Sequence, residues 1–320
     1  MEQTTSSELQ QYTGSLIARA NTWADLSDAD LRREGTRAAN ERDAERLWSL
    51  TEAFLVLHNK SGSRVSPHTL SMYKTGVQQL LEAWSGQNLL RPARDAALQF
   101  VRHLEQRNLS SGSISARLSA ARILYRALRW AGVTDASPFA DVKAPADPTP
   151  PEEKRRAYPE AHVTRMLETA SPVDRVLILL AAHGGLRVAE ALSLTWRDVN
   201  LTAGTLKVRQ GKGRRDRTVH LSDALRGTLT ALQAESDPEG PVLPYRTATR
   251  ARQRLKRVCE QAGVPYLGLH SLRHYCGTRL YRITNDLRVA ARHLGHSSTT
   301  TTAIYAKMDT RAYADAIRKL

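Results

Sequence analysis

A histidine and a tyrosine stand nine residues apart near the C-terminus, in the run Leu294-Gly-His-Ser-Ser-Thr-Thr-Thr-Thr-Ala-Ile-Tyr305. A tyrosine phenol can act as a covalent nucleophile, but its ordinary pKa near ~10 keeps it weak until cationic or hydrogen-bonding neighbours favour the phenolate. Taken alone, His296 and Tyr305 are each more often packed core residues than reactive ones. The pair therefore indicates chemistry only if the rest of the chain supplies positive neighbours.

Arg187 follows a Gly-Gly break and opens a predicted helix. A tight turn delivers the guanidinium from a defined position, and arginine suits bidentate recognition of a phosphate. Glu190 lies three residues further on, shares the helix face and can orient the arginine. A purely structural Arg–Glu pair is the alternative, and these two residues alone do not decide between them.

The run His270-Ser-Leu-Arg273-His274 places two histidines and an arginine on one helical face. Histidines at i and i+4 can hold a metal, but the metalloprotease pattern has a glutamate beside the first histidine, where this chain has Ser271. The sequence also lacks the acidic cluster that a two-metal nuclease uses to bridge its ions. Arg273 between the histidines therefore favours an anionic ligand over a metal ion.

Lys212 lies in a Gly-Lys-Gly turn between two β-rich segments, residues 204–210 and 216–221. The pattern predicts a β-hairpin, joined by a short strand near Asn200. A lysine at such a tip can reach a leaving oxygen and donate a proton to it. Without other catalytic groups nearby, it would be an ordinary solvated turn residue.

The candidate catalytic residues are thus Arg187, Lys212, His270, Arg273, His296 and Tyr305. Two guanidiniums can neutralise the charge that grows on a phosphate, an imidazole can assist the phenol, and an amine can protonate the departing oxygen. The set predicts nucleophilic attack on a phosphodiester, with no metal ion and no other cofactor.

The charge of the chain favours the same substrate. The net charge is +15 with a pI near 10.2, which favours a polyanionic partner, and nucleic acid is the leading candidate. Residues 1–42 hold five arginines and seven acidic residues, so the excess of basic residues lies in residues 43–320. An anionic membrane is the weaker alternative, because the sequence has no lipidation signal and no apolar run that could span a bilayer. Two cysteines are too few for a disulfide framework, which predicts a reduced, cytoplasmic protein. With nucleic acid as the partner, the expected location is the nucleoid.

The elements that must position these residues are predicted from periodicity. The expected fold is mainly α-helical with a small antiparallel β-sheet. The predicted division is an N-terminal extension of unknown role (1–42), a helical DNA-binding domain (43–140), a proline-rich linker (141–157) and a mixed catalytic domain (158–320). Basic residues off the apolar stripes of the helical domain suit either a phosphate-facing surface or an ordinary solvated one. They include Lys74, Arg117, Arg122, Arg126 and Arg129.

Four motifs, in this order and spacing, resemble those of the tyrosine recombinase/integrase family, most closely the Xer-type site-specific recombinases. They are Gly-Gly-Leu-Arg187-Val-Ala-Glu190, Gly-Lys212-Gly with Arg217 in the following strand, His270-Ser-Leu-Arg273-His274, and Leu-Gly-His296 with Tyr305. The resemblance covers about residues 43–320. It implies a SAM-like helical core-binding domain and a mixed catalytic domain that clamp duplex DNA from opposite sides.

The resemblance also implies roles for the matching positions. Tyr305 would attack the scissile phosphate, giving a 3′-phosphotyrosyl link and a free 5′-hydroxyl. Arg187 and Arg273 would clamp the phosphate, and Lys212 would be the general acid.

Three further implications concern support for this reaction. His270 would assist proton transfer from the tyrosine, His296 would hydrogen-bond the phosphate, and Glu190 would orient Arg187.

The enzyme would act as a homo-tetramer on two duplexes through a Holliday junction, alone or with a second recombinase. The sequence predicts an amphipathic helix over residues 311–320, which caps its own domain or, as the resemblance implies, docks on the neighbouring protomer.

Two other functions remain open at this point. A type IB topoisomerase uses similar Arg, Lys, His and Tyr chemistry, although the helical N-terminal part and the Leu-Gly-His-Ser-Ser spacing match recombinases better. A catalytically silent DNA-binding protein would need a missing catalytic residue, and none is missing. The sequence does not identify the DNA target. Two biological settings stay open: resolution of chromosomes or plasmids, and integration of a mobile element.

Overall fold

The computed structural model describes residues 2–59, 62–149, 156–209, 216–234 and 236–295. Backbone contacts separate the chain into two compact units, Met1–Pro148 and Thr149–Leu320. Each unit has its own apolar core, so each is described by itself.

The described part of the first unit contains six α-helices. They are α1 (Glu2–Ala24), α2 (Asp28–Glu41), α3 (Ala44–His58), α4 (Pro67–Ala83), α5 (Ala96–Gln106) and α6 (Ser111–Trp130). The start of α4 shows why these segments are helical: Ser66 accepts a hydrogen bond from the amide of Thr69 at 3.1 Å, and Pro67 occupies the first turn. Apolar residues at helical spacing then form one continuous core between the helices.

Helices α1 and α2 belong to this core. Leu16 and Trp23 of α1 and Leu31 of α2 are buried in it. The indole nitrogen of Trp23 donates a hydrogen bond to the hydroxyl of Ser49 at 2.9 Å, which ties α1 to α3. The first 42 residues, for which the sequence predicted no role, therefore contribute two packed helices to the first unit.

Two of the arginines that were candidates for a phosphate-facing surface, Arg122 and Arg129, donate to backbone carbonyl groups. Arg122 donates to the carbonyl oxygen of Phe139 at 2.9 Å and also to that of Val142, and Arg129 donates to that of Ala136 at 3.0 Å. These bonds hold the segment that follows α6 against the helix.

The described part of the second unit contains seven α-helices and three strands. The helices are α7 (Glu160–Thr169), α8 (Pro172–Ala182), α9 (Val188–Leu192), α10 (Asp223–Gln233), α11 (Ala248–Gln261), α12 (Leu269–Thr284) and α13 (Leu287–Leu294). The strands are β1 (Val199–Asn200), β2 (Thr205–Val208) and β3 (Arg217–His220). Helix α8 is buried along most of its length, as its nearly continuous apolar sequence predicts.

The strands form one antiparallel sheet in the order β1-β2-β3. Leu206 of β2 pairs with Val219 of β3, and both side chains are buried in the core of the second unit. Because side chains alternate along a strand, Arg217 lies on the same buried face as Val219. The sheet therefore brings a charged side chain to its inner face.

The structure confirms the predicted fold class, which is mainly α-helical with a small antiparallel sheet, and it confirms the hairpin. Helix α7 was not predicted. Residues 141–149 and 156–159 contain no helix or strand, as their prolines suggest. The predicted helix over residues 311–320 lies outside the described residues. Among the helices that are described, none has the length and apolar character needed to pass through a bilayer.

Candidate active site

Helix α12 carries the His270–His274 motif. It begins after Gly268, whose φ of 86° places it in a region that favours glycine, and Arg273 lies one turn into the helix. The Arg273 side chain is only 1% exposed. It donates from Nη1 to the carbonyl oxygen of Gly185 and from Nη2 to that of Leu294 at 2.7 Å. Arg273 therefore joins the turn before α9 to the end of α13.

Arg187 directly precedes α9, after the turn at Gly184 and Gly185. Its Nη1 donates to Oε1 of Glu190 at 2.9 Å, and its backbone amide donates to Oε2 of the same residue at 2.9 Å. The Arg187 side chain remains 34% exposed, so part of the guanidinium can meet a ligand. The contact with Glu190 is the one that the three-residue spacing predicts.

Glu190 has a second and stronger partner in Arg217 of β3. Arg217 donates from Nη2 to Oε2 at 2.8 Å and from Nη1 to Oε1 at 3.1 Å. Arg273 approaches the same carboxylate, with its Nη1 3.9 Å from Oε2. Burial alone would raise the pKa of Glu190, but the hydrogen bonds and charge of Arg217, together with the hydrogen bonds of Arg187, lower that pKa to about 2. Glu190 is therefore ionised at neutral pH.

Arg217 had no assigned role in the sequence analysis, although it belongs to one of the matched motifs. Its side chain is 9% exposed. The alternation along β3 is the signal that could have found it, because an arginine on the buried face of a strand needs a carboxylate partner.

His270 is exposed at the start of α12, one helical turn before the buried His274. The two imidazole rings are 4.5 Å apart between centroids and nearly perpendicular. Over the residues that the structure describes, no three His, Cys, Asp or Glu side chains are grouped so that they could hold a metal ion.

Two further histidines support the turn before Arg187. His293 Nε2 lies 2.9 Å from the carbonyl oxygen of His183, and His183 Nδ1 lies 2.7 Å from the hydroxyl of Ser222. Burial lowers the pKa of both histidines, with nearby arginines acting in the same direction. Cys276 donates from Sγ to the same His183 carbonyl at 3.3 Å, and burial raises the pKa of its thiol to about 12. These neutral side chains pack and orient the turn.

Three of the six predicted catalytic residues lie in the described part of the chain. Arg187 and Arg273 both approach the carboxylate of Glu190, and His270 lies on the same helix as Arg273. Lys212, His296 and Tyr305 lie outside the described residues. Their assignment remains a prediction.

The described residues thus place three guanidiniums around one carboxylate, which leaves an excess of positive charge. Such a cluster can bind a phosphate and stabilise the charge that develops on its non-bridging oxygens.

Comparison with known proteins shows which family the chain resembles. Residues 157–311 match the model of the phage integrase family, and residues 59–132 match that of the phage integrase N-terminal SAM-like domain. The tyrosine recombinase XerA of Thermococcus kodakarensis is 31% identical over 269 residues, which are 80% of this chain and 89% of that protein. The tyrosine recombinase XerC of Xanthomonas campestris pv. campestris is 31% identical over 301 residues, which are 88% of this chain and 91% of that protein.

Solved structures show the same fold at lower identity. The site-specific recombinase XerH bound to a palindromic difH substrate, in a post-cleavage complex, has a TM-score of 0.66 at 18% identity, covering 97% of this chain and 95% of that one. A lambda integrase tetramer bound to a Holliday junction has a TM-score of 0.67 at 17% identity, covering 82% and 76%.

The matched family models and the Xer-type relatives define an enzyme of the DNA strand-transfer class. The family models and the relatives together show that the chain belongs to the phage integrase family of tyrosine recombinases, and it is a tyrosine-type site-specific recombinase.

Proposed function

We propose that this recombinase cuts and rejoins duplex DNA through a 3′-phosphotyrosyl link to Tyr305 and a Holliday junction. The observation that carries the proposal is the convergence of Arg187 and Arg273 on Glu190, next to the end of the helix that leads to His296. Arginines gathered in this way suit a phosphate that gains charge during attack.

The reaction is a transesterification. The phenol oxygen of Tyr305 forms a bond to phosphorus while the bond from phosphorus to the 5′-oxygen breaks. Lys212 donates a proton to the departing 5′-oxygen, and His270 assists removal of the proton from the phenol. Attack of a 5′-hydroxyl on the phosphotyrosine reverses these steps. Because a phosphodiester is exchanged for another phosphate ester, the reaction needs neither ATP nor a redox cofactor.

The arginines act on the non-bridging oxygens of the phosphate. Arg187 is partly exposed and is oriented by Glu190, so it can meet the phosphate without first losing its own partner. Arg273 is buried beside Glu190 and would add the second positive charge of the clamp, while His296 would hydrogen-bond the phosphate. The position of α13 supports this arrangement, because Arg273 holds the carbonyl of the residue two before His296.

The proposed assembly is a homo-tetramer on two duplexes, acting alone or with a second recombinase. The helical domain (43–140) and the catalytic domain (158–320) would clamp the DNA, with the linker (141–157) between them. Residues 311–320 would dock on the neighbouring protomer. The proposed setting is chromosome or plasmid resolution, or mobile-element integration, in the cytoplasm at the nucleoid.

The test is a nicked suicide duplex, from which the cleaved end diffuses away so that rejoining fails. The duplex is first selected from a random-sequence pool by its binding to the Tyr305→Phe variant. The proposal predicts a covalent protein–DNA adduct with the wild type and none with the variant, although both bind the duplex. Relaxation of supercoiled DNA that lacks the selected sequence would instead indicate a topoisomerase, and binding without any adduct would indicate a DNA-binding protein.

A further inference from the structure

We propose that Arg217 is a positioning residue of this site. It would hold Glu190 and the end of α13 in one place, so that Arg187 and the segment carrying His296 and Tyr305 meet the same phosphate. The inference rests on the proposed function.

The guanidinium of Arg217 uses all three of its nitrogen atoms within the protein. Nη1 and Nη2 donate to the two oxygens of Glu190, and Nε donates to the carbonyl oxygen of His293 at 3.3 Å. With 9% of its side chain exposed, Arg217 contrasts with Arg187, which is 34% exposed. Because Nε, Nη1 and Nη2 are all engaged by Glu190 and His293, Arg217 acts on a substrate through these two residues.

Besides Glu190, Arg217 contacts the end of α13. Gly295 has a φ of 66°, and a Cβ at this position would lie 2.7 Å from Cδ and 3.0 Å from Nε of Arg217. The arginine therefore packs directly on the backbone of the residue that precedes His296. Close packing and positive φ both require glycine here.

The last carbonyl groups of a helix have no partner within the helix. In α13, Arg217 donates to the carbonyl of His293 and Arg273 donates to that of Leu294. Two arginines of one cluster thus hold the last turn of α13 in place. The end of this helix and the phosphate clamp depend on the same side chains.

A third connection comes from the sheet. Arg217 is the first residue of β3, and the segment that carries Lys212 leads into this strand. Arg217 therefore lies where strand β3, the Glu190 carboxylate and the end of α13 meet. The position explains why an arginine on a buried strand face is useful to the reaction.

Lysine cannot replace this function. A lysine offers one ammonium group, whereas Arg217 makes two parallel bonds to a carboxylate and a third to a carbonyl. The variant Arg217→Lys keeps the positive charge but removes the paired N–H donors that bind the carboxylate. Arg254→Lys is the matched control, because Arg254 makes a two-bond pair with the buried Asp174 elsewhere in the second unit.

The experiment measures the single-turnover rate of adduct formation on the selected duplex. One substrate carries the ordinary scissile phosphate and the other a neutral methylphosphonate at the same bond. Arg217→Lys should lower the rate on the phosphate by roughly 10²-fold, as expected for misplaced catalytic groups. The decrease in rate should be about tenfold smaller on the methylphosphonate, because this neutral group carries less negative charge for the arginines to stabilise. Arg254→Lys should change both rates by the same factor.

An Arg217→Lys rate close to the wild type, or an equal loss on both substrates, would overturn the inference and leave Arg217 as a fold-supporting residue only. If circular dichroism shows that Arg217→Lys is unfolded, Glu190→Gln takes its place with the same expected selectivity. The wild-type adduct is a separate readout: its presence supports the proposed function whatever Arg217→Lys does, and its absence rejects both proposals.

Discussion

Arg273 donates from Nη2 to the carbonyl oxygen of Leu294 at 2.7 Å, so a fully buried arginine on α12 secures the last turn of α13. Its Nη1 binds the carbonyl of Gly185 in the turn before Arg187. One side chain therefore connects the two segments that lead to the predicted phosphate clamp and to the predicted nucleophile. This gives Arg273 a role in the fold in addition to its proposed role in the reaction.

Arg273→Ala should consequently show two effects. Loss of a charged donor should remove about 3 kcal/mol or more of transition-state stabilisation. The buried carbonyls of Gly185 and Leu294 would also lose their donors, which should lower the free energy of unfolding. Single-turnover adduct formation and urea unfolding measure the two effects separately, and adduct formation near the wild-type rate would remove Arg273 from the clamp.

Glu190→Gln should reveal a pH dependence of stability. The pKa of Glu190 is lowered from 4.5 to about 2 in the folded protein, because hydrogen bonds from Arg217 and Arg187 outweigh the opposing effect of burial. The stabilisation by the ionised group is therefore complete above about pH 4.5 and is lost as the pH falls towards about 2.

The difference in unfolding free energy between wild type and Glu190→Gln should thus be a few kcal/mol near neutral pH and should shrink in acid. Urea titrations from about pH 7 to about pH 3 measure it, and taking the difference at each pH cancels the other carboxyl groups. A difference that stays constant across this range would contradict the assigned ion pairs.

Trp23→Ala should destabilise the first unit by about 3–5 kcal/mol, because the indole is buried and binds Ser49. Ile17→Ala, on the same helix but 42% exposed, is the control and should cost much less. Equal unfolding midpoints for the two variants would show that α1 does not belong to this core.

Adduct formation should survive an excess of EDTA, because Arg187, Arg273 and Lys212 supply the positive charge that the proposed reaction needs. The same selected duplex serves for this assay, with the reaction followed by gel electrophoresis. Loss of the adduct on chelation, with recovery after magnesium or manganese is added, would show that the reaction requires a metal ion.

Local signals predicted much of this molecule. Helical periodicity, the Ser66-Pro67 start of α4 and the Gly-Gly break before Arg187 depend on neighbouring residues, and the structure bears them out. The i, i+3 spacing likewise predicted the contact between Arg187 and Glu190.

What the sequence did not predict depends on tertiary contacts. Arg217 and Glu190 are 27 residues apart, and no periodic pattern relates a strand residue to a helix residue at that distance. Arg122 lies off the apolar stripe of its helix, which predicted a phosphate-facing or solvated side chain, yet it binds carbonyls of the segment after α6. The packing of Trp23 was missed for the same reason, since its partner surface on α3 comes from later in the chain.

During strand exchange, Tyr305 is proposed to be joined covalently to the DNA. The direct test is to digest the wild-type adduct with nuclease and protease and to identify the modified peptide by tandem mass spectrometry. The account predicts a nucleotide attached through its 3′-phosphate to the oxygen of Tyr305. A nucleotide on another residue, or one attached through a 5′-phosphate, would contradict it.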